Sequence, residues 1–286
     1  MVIAMSSPSS EQAVVAPIAA LSARTRRRRA LRGPSTTLTR YVLVPLALVG
    51  AWQAACSIGI VDSAVMSSPI EVVKAGVRLG REGVLWTDLA VSARRAALGF
   101  VFGLVAGVVL GTVAGLWQRA ESVVDSPIQI LNTVPFLALV PLFILWFGIG
   151  EKPKVILIAT GSAIPIYLNL VSAIRNVDVR LIEMAQTVGV SRRRLVARVL
   201  LPGALPGTLV GMRMALAFSV IGLVAAEQIN ATSGIGYMME AARQFMRTDE
   251  IFLGLALYAL FGVAASAFIT LLERVLLSWQ PRFSGR

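Results

Sequence analysis

Six runs of about twenty apolar residues decide most of what this chain can fold into. They cover 41–60, 96–116, 128–147, 155–174, 207–226 and 252–272. Each is close to the ~20 residues a helix needs to cross a bilayer core. Backbone polar groups have no water to bond in lipid, and runs this long satisfy them internally only as helices. The sequence therefore predicts an all-α polytopic membrane protein with six transmembrane helices. A 56% hydrophobic composition and a mean hydropathy of +0.76 over 286 residues agree with this.

The charge is +12, which in a soluble chain would point to nucleic acid. Here the cations bracket the apolar runs, so they speak of topology and no nucleic-acid partner is expected. Residues 1–40 are predicted to be a disordered basic tail, with Arg24, Arg26 to Arg29, Arg32 and Arg40. A transmembrane domain is expected over 41–280, and 281–286 form a short tail. With the N-terminus inside, inner segments hold 17 Lys plus Arg and outer ones nine. That bias predicts a plasma-membrane protein with both termini cytoplasmic, and it puts 178–202 in the cytoplasm.

What is missing removes several chemistries. There is no histidine, which excludes most zinc sites, His-based triads and histidine proton relays. The one cysteine, Cys56, lies in an apolar run, so no disulfide framework exists. No G-x-x-x-x-G-K-[ST] loop is present, so the chain cannot hydrolyse ATP by P-loop chemistry. No H-E-x-x-H or G-x-S-x-G motif occurs either. The chain is expected to be no enzyme and to carry no cofactor or metal.

The second run holds Gly99, Gly103, Gly107, Gly111 and Gly115, one glycine every fourth residue. Four-residue spacing makes a nearly continuous ridge without side chains, on which another helix can pack closely in lipid. An intrachain partner is expected. Asn132, Pro135 and Pro141 predict a kinked third span, and Gly161, Pro165 and Asn169 a similar fourth. Freed carbonyls at such breaks suit a passage for a polar solute, while prolines that only shape packing are the plainer reading. Arg213 can snorkel to the cytoplasmic end of the fifth span. Glu227 closes that span, followed by Ser233-Gly234-Ile235-Gly236-Tyr237. It fits either a gate at the outer mouth or an interfacial charge held by an arginine. The outer segment 61–95 reads as interfacial helix starting at Ser68-Pro69-Ile70-Glu71.

Segment 178–202 is polar, yet keeps helical apolar spacing. Val177, Leu181, Met184, Ala185 and Val188 share one stripe. Asp178 can cap this helix, and Gly189 ends it as a left-handed cap would. Ser191 can start a second short helix, which Pro202 is expected to stop before Pro206 opens the next span. Such a bent pair suits docking to another protein, and equally a basic helix resting on anionic lipid.

The residues carry the choice further. Glu183-Met184-Ala185, three residues, Gly189, nine residues and Val199-Leu200-Leu201-Pro202 resemble the E-A-A-x3-G-x9-I-x-L-P loop of ABC importer permeases. Met184 and Val199 depart from that pattern, both as apolar replacements. Ser68-Pro69-Ile70-Glu71-Val72, Ser92-Ala93-Arg94-Arg95 with Gly99-Phe100, the 135–148 stretch with its Pro-Leu-Phe-Ile-Leu-Trp-Phe-Gly ending, and Ala225-Ala226-Glu227 are similar to the nitrate, sulfonate, taurine and bicarbonate branch. The resemblance implies a type I importer-like permease fold. It implies coupling helices at 176–202 that dock a separate ATPase holding ATP and Mg, through Glu183, Met184, Ala185, Gly189, Arg192, Arg193, Arg194, Leu201 and Pro202. It also implies a second permease copy, an extracytoplasmic solute-binding protein and a small anion as cargo. The same branch includes carriers of thiamine precursors and other aromatics. The competing class is an ion-coupled carrier or channel. That needs buried ionisable groups, for which the sequence offers only Arg213 and Glu227 near span ends. A membrane enzyme acting on lipid has no visible nucleophile–base pair.

Overall fold

The computed structural model describes residues 34–60, 62, 65–228 and 231–278. The arginine run at 24–32 and the tail 281–286 lie outside them. The chain divides into two units, 1–62 and 63–286. The first contains α1 (Pro34–Ser57), an apolar helix that carries Pro45 inside.

The second unit opens with α2 (Pro69–Arg81). Its start is written in the sequence. The Glu71 N–H donates to Ser68 Oγ at 3.3 Å, and the Ser68 N–H donates to Glu71 Oε2 at 2.8 Å. This reciprocal box satisfies two donors that a helix start leaves over. Val72, Ala75 and Leu79 then turn inward onto Leu253, Ile235 and Met238.

Helix α3 (Val84–Leu116) has 33 residues, about 50 Å at 1.5 Å per residue. The expected second span, 96–116, is only its latter part. The first three turns continue as helix because Asp88, Ser92 and Arg95 find partners indoors and are buried.

The glycine ridge has its partner in α6 (Glu151–Arg175). A Cβ placed on Gly103 would lie 2.5 Å from the Ala159 carbonyl oxygen, and one on Gly107 2.7 Å from the Ala163 oxygen. Gly99 faces Ile158, Gly111 faces Leu170 and Gly115 faces Ile174. On the other side of α6, Gly207 and Gly211 of α9 (Leu201–Glu227) meet Ala173, Asn169 and the Pro165 carbonyl. Helix α6 is thus clasped between two glycine-bearing helices. It is the most deeply buried element of the bundle. Pro165 does not break it: the helix runs unbroken through this buried proline. Close packing on both sides keeps it continuous.

The third span is broken more sharply than a kink. Helix α4 (Gln118–Thr133) stops at Val134, whose ψ of 130° is the extended form imposed on a residue before proline. A 3-10 turn (Phe136–Leu139) follows, then α5 (Val140–Phe147) with Pro141 in its first turn. The two arms meet at 97°.

Helix α7 (Val179–Thr187) leads to α8 (Arg192–Leu195). Contrary to expectation, Pro202 stops nothing. Residues 196–200 form a π turn in which the Leu201 N–H reaches back to the Val196 oxygen, and α9 follows without a gap. A widened turn already displaces the i−4 carbonyl with which the Pro202 ring would collide. The result is one helical rod from Arg192 to Glu227. Finally α10 (Ile235–Gln244) lies against α11 (Thr248–Leu276).

Among the described residues four helices are long and apolar enough to cross a membrane, and the bent α4–α5 pair makes a fifth. The remaining expected span, 41–60, corresponds to a shorter apolar helix, Leu43–Ser57.

Candidate functional site

Two regions stand at opposite ends of α6 and α9. The first is the elbow. Asp178 Oδ1 accepts from the Arg180 N–H at 2.9 Å and caps α7. At its other end the Val190 N–H reaches the Ala185 oxygen (3.0 Å) and the Gly189 N–H reaches the Gln186 oxygen (2.9 Å). That pair of bonds is the Schellman arrangement, and it puts Gly189 at φ +75°. No residue of α7 is buried. Leu181, Met184 and Val188 stand in the open beside Glu183, with Arg192, Arg193 and Arg194 exposed on the next helix. Ala185 is half-buried, and Leu201 and Pro202 are exposed where the rod begins. Val177 instead packs under Gly203. The elbow therefore presents an apolar face edged with charge. Through residues 192–227 it is continuous with a span.

The second region is a buried polar cluster centred on Arg95, a side chain 2% exposed. Its Nε and Nη2 donate to the two oxygens of Glu151, both at 2.6 Å. Nη1 donates to Glu227 Oε1 at 2.8 Å and to the Ser233 carbonyl at 2.7 Å. Glu227, fully buried, also accepts from Ser92 Oγ (2.6 Å), the Gly236 N–H (3.0 Å) and the Tyr258 hydroxyl (3.1 Å). The Gly234 N–H donates to Asp88 at 2.7 Å and the Ile235 N–H to Ser92 Oγ at 2.9 Å. Two carboxylates thus sit at the N-terminus of α10, where free N–H groups and the helix dipole favour anions. Gly234 and Gly236 are required there. A Cβ on either would come within 2.6 Å of Glu227 atoms. A buried ion pair persists when its remaining donors and acceptors are filled, as they are here. The cluster ties α3, α6, α9, α10 and α11 together.

The other positions singled out in the sequence are scattered. Asn132, Pro135 and Pro141 are exposed along the broken span. Pro165 is buried, and Asn169 Nδ2 donates to the Pro165 oxygen at 2.9 Å beside α9. These residues do not meet Glu227 in one site. Arg213 pairs with Glu273 of α11 at 2.8 Å. Trp117 and Trp146 are exposed near helix ends. Sequence reasoning missed Arg95, Glu151, Asp88 and Tyr258. One signal was available: Arg95 extends the four-residue glycine series by one step, so it had to face inward with the ridge.

Residues 99–283 match the family described as binding-protein-dependent transport system inner membrane component. The chain is 45% identical over 240 residues to the putative aliphatic sulfonates transport permease protein SsuC of Escherichia coli, covering 84% of this chain and 91% of that one. It is 40% identical over 244 residues to the SsuC protein of Bacillus subtilis, covering 85% and 88%. It is 32% identical over 237 residues to the taurine transport system permease protein TauC of Escherichia coli, covering 81% and 86%. In fold it is similar to a crystal structure of an amino acid ABC transporter, with a TM-score of 0.57 at 15% identity, covering 69% of this chain and 96% of that one. With its glycine-clasped bundle and its exposed elbow, the chain belongs to the binding-protein-dependent transport inner membrane component family, the permease subunits of ABC importers.

Proposed function

We propose that this permease imports aliphatic sulfonates, delivered by an extracytoplasmic solute-binding protein, with a separate ATPase docked on the elbow at 178–202. The relatives' names supply the substrate class. The observation that carries the coupling is the exposed face of α7, joined through α8 and the π turn to a rod that ends at buried Glu227. A rod of this kind passes displacement at one end to the other. ATP and Mg belong to the partner, whose closure would move the elbow. The orientation puts both termini and the elbow in the cytoplasm and Glu227 at the outer mouth. Two copies of the chain in the bilayer form the pathway, with the exposed apolar face of α11 meeting lipid or the second copy.

The test is uptake of labelled ethanesulfonate and taurine into proteoliposomes holding the permease, its ATPase and its binding protein. Uptake that needs ATP and the binding protein supports the reading. Sulfonate uptake without nucleotide or ATPase would restore the ion-coupled carrier.

A further inference from the structure

Glu151 is in an unusual position for half of a tight ion pair. Both its oxygens are held at 2.6 Å by an arginine that is 2% exposed, yet its own side chain is 57% exposed. Lys154, itself buried, donates to the same carboxylate at 3.0 Å. On its open side Glu151 forms, with Lys152, the polar rim of a cavity of about 660 Å³. The walls are otherwise almost wholly apolar and include Leu98, Phe102 and Leu110 of α3, Leu131 of α4 and Ile156 of α6. Leu98 lies one turn beyond Arg95, and the wall from Leu98 to Leu110 extends about 18 Å along α3 at 1.5 Å per residue. The volume lies within the ~300–1,000 Å³ of small-molecule sites.

Of the two carboxylates bound to Arg95, Glu151 is the one solvent reaches, since Glu227 is fully buried. We propose that Arg95 is the head-group subsite for an aliphatic sulfonate, and that Glu151 is the internal anion that fills it when no substrate is bound. A sulfonate brings the same single charge and two oxygens that can accept from Nε and Nη2 in parallel. The exchange leaves the Arg95–Glu227 pair untouched and adds one negative charge beside two lysines. The displaced Glu151 carboxylate stays beside Lys152 and Lys154. The alkyl chain follows the apolar wall of α3 and α6. This rests on the sulfonate reading above and assigns it a site.

The test is binding of ethane-, butane- and hexanesulfonate to the permease–ATPase assembly in zwitterionic phosphatidylcholine nanodiscs, without binding protein. Butylamine serves as a control of opposite charge, and sulfate as one without a chain. Affinity is expected to rise about fourfold per buried methylene. Glu151→Gln keeps an acceptor for Arg95 but removes the competing charge, and should tighten every sulfonate about fivefold. Ala106→Trp, which fills the cavity wall, should abolish the chain-length dependence. Equal affinities in wild type and Glu151→Gln, or butylamine binding as well as butanesulfonate, would overturn the site. Sulfonate uptake by the full system in parallel separates the two ideas. Uptake with an unchanged affinity in Glu151→Gln sinks the subsite alone, whereas no uptake and no binding sinks the sulfonate reading itself.

Discussion

Replacing Gly103 with alanine adds one methyl group where the bundle has no room for it. The new carbon would lie 2.5 Å from the Ala159 carbonyl oxygen, 2.7 Å from Ser162 Cβ and 3.1 Å from the Ala163 nitrogen. Ordinary contact begins near 3.4 Å, so α3 and α6 must part by most of an ångström. Two of the three atoms are backbone, and no rotamer change relieves them. Overpacking of this kind costs about 1–3 kcal/mol, against a gain of about 0.5–1 kcal/mol from alanine in a helix interior. The net expectation is a loss of about 1–2 kcal/mol. Gly262 in α11 is the control, because nothing lies within 4 Å of a Cβ there. Gly262→Ala keeps only the helical gain and should be neutral or more stable by up to about 1 kcal/mol. Equilibrium unfolding of both variants in bicelles reads the difference directly. A Gly103→Ala protein as stable as Gly262→Ala would refute the clasp as the basis of the fold.

Three further outcomes are expected. Gly189→Val forces a β-branched residue to φ +75°, at a cost of roughly 1–2 kcal/mol; ATP-driven uptake should collapse while the protein's level in the membrane holds, and unchanged uptake would count against the elbow. Glu227→Ala leaves Ser92, Tyr258 and the Gly236 N–H without their acceptor and removes one of the two anions of Arg95; thermal unfolding should show a loss of about 3–5 kcal/mol, and a loss under about 1 kcal/mol would mean water enters the cluster. Ser68→Ala breaks the capping box of α2 and should cost about 1 kcal/mol, seen as faster amide exchange at Val72 and Val73 with the glycine-clasped helices unaffected.

Much of this architecture is legible in the sequence because it is local. Four-residue glycine spacing gives the ridge, Ser68 with Glu71 gives a helix start, and Gly189 gives the elbow. What escapes is whatever depends on partners distant in the chain. Arg95 and Glu151 are 56 residues apart and Arg95 and Glu227 132 apart; no periodicity links them, so Arg95 reads as a loop cation flanking a span and α3 is given too short. Proline misleads in both directions. Pro165 is held in a continuous helix by neighbours on each side, and Pro202 is absorbed by a π turn that leaves no mark in composition. At Pro135 the same residue type, with Val134 extended before it and less packing around it, breaks the span outright.

Cross-linking tests the central claim most directly. In a Cys56→Ser background, Met184→Cys places a thiol on the open face of α7, and Phe245→Cys places one on the exposed turn at the far end of the bundle. The account predicts that a short bifunctional reagent joins Met184→Cys, and not Phe245→Cys, to the ATPase subunit that co-purifies with the permease. An adduct at Phe245→Cys alone, or no ATPase captured at Met184→Cys, would contradict it.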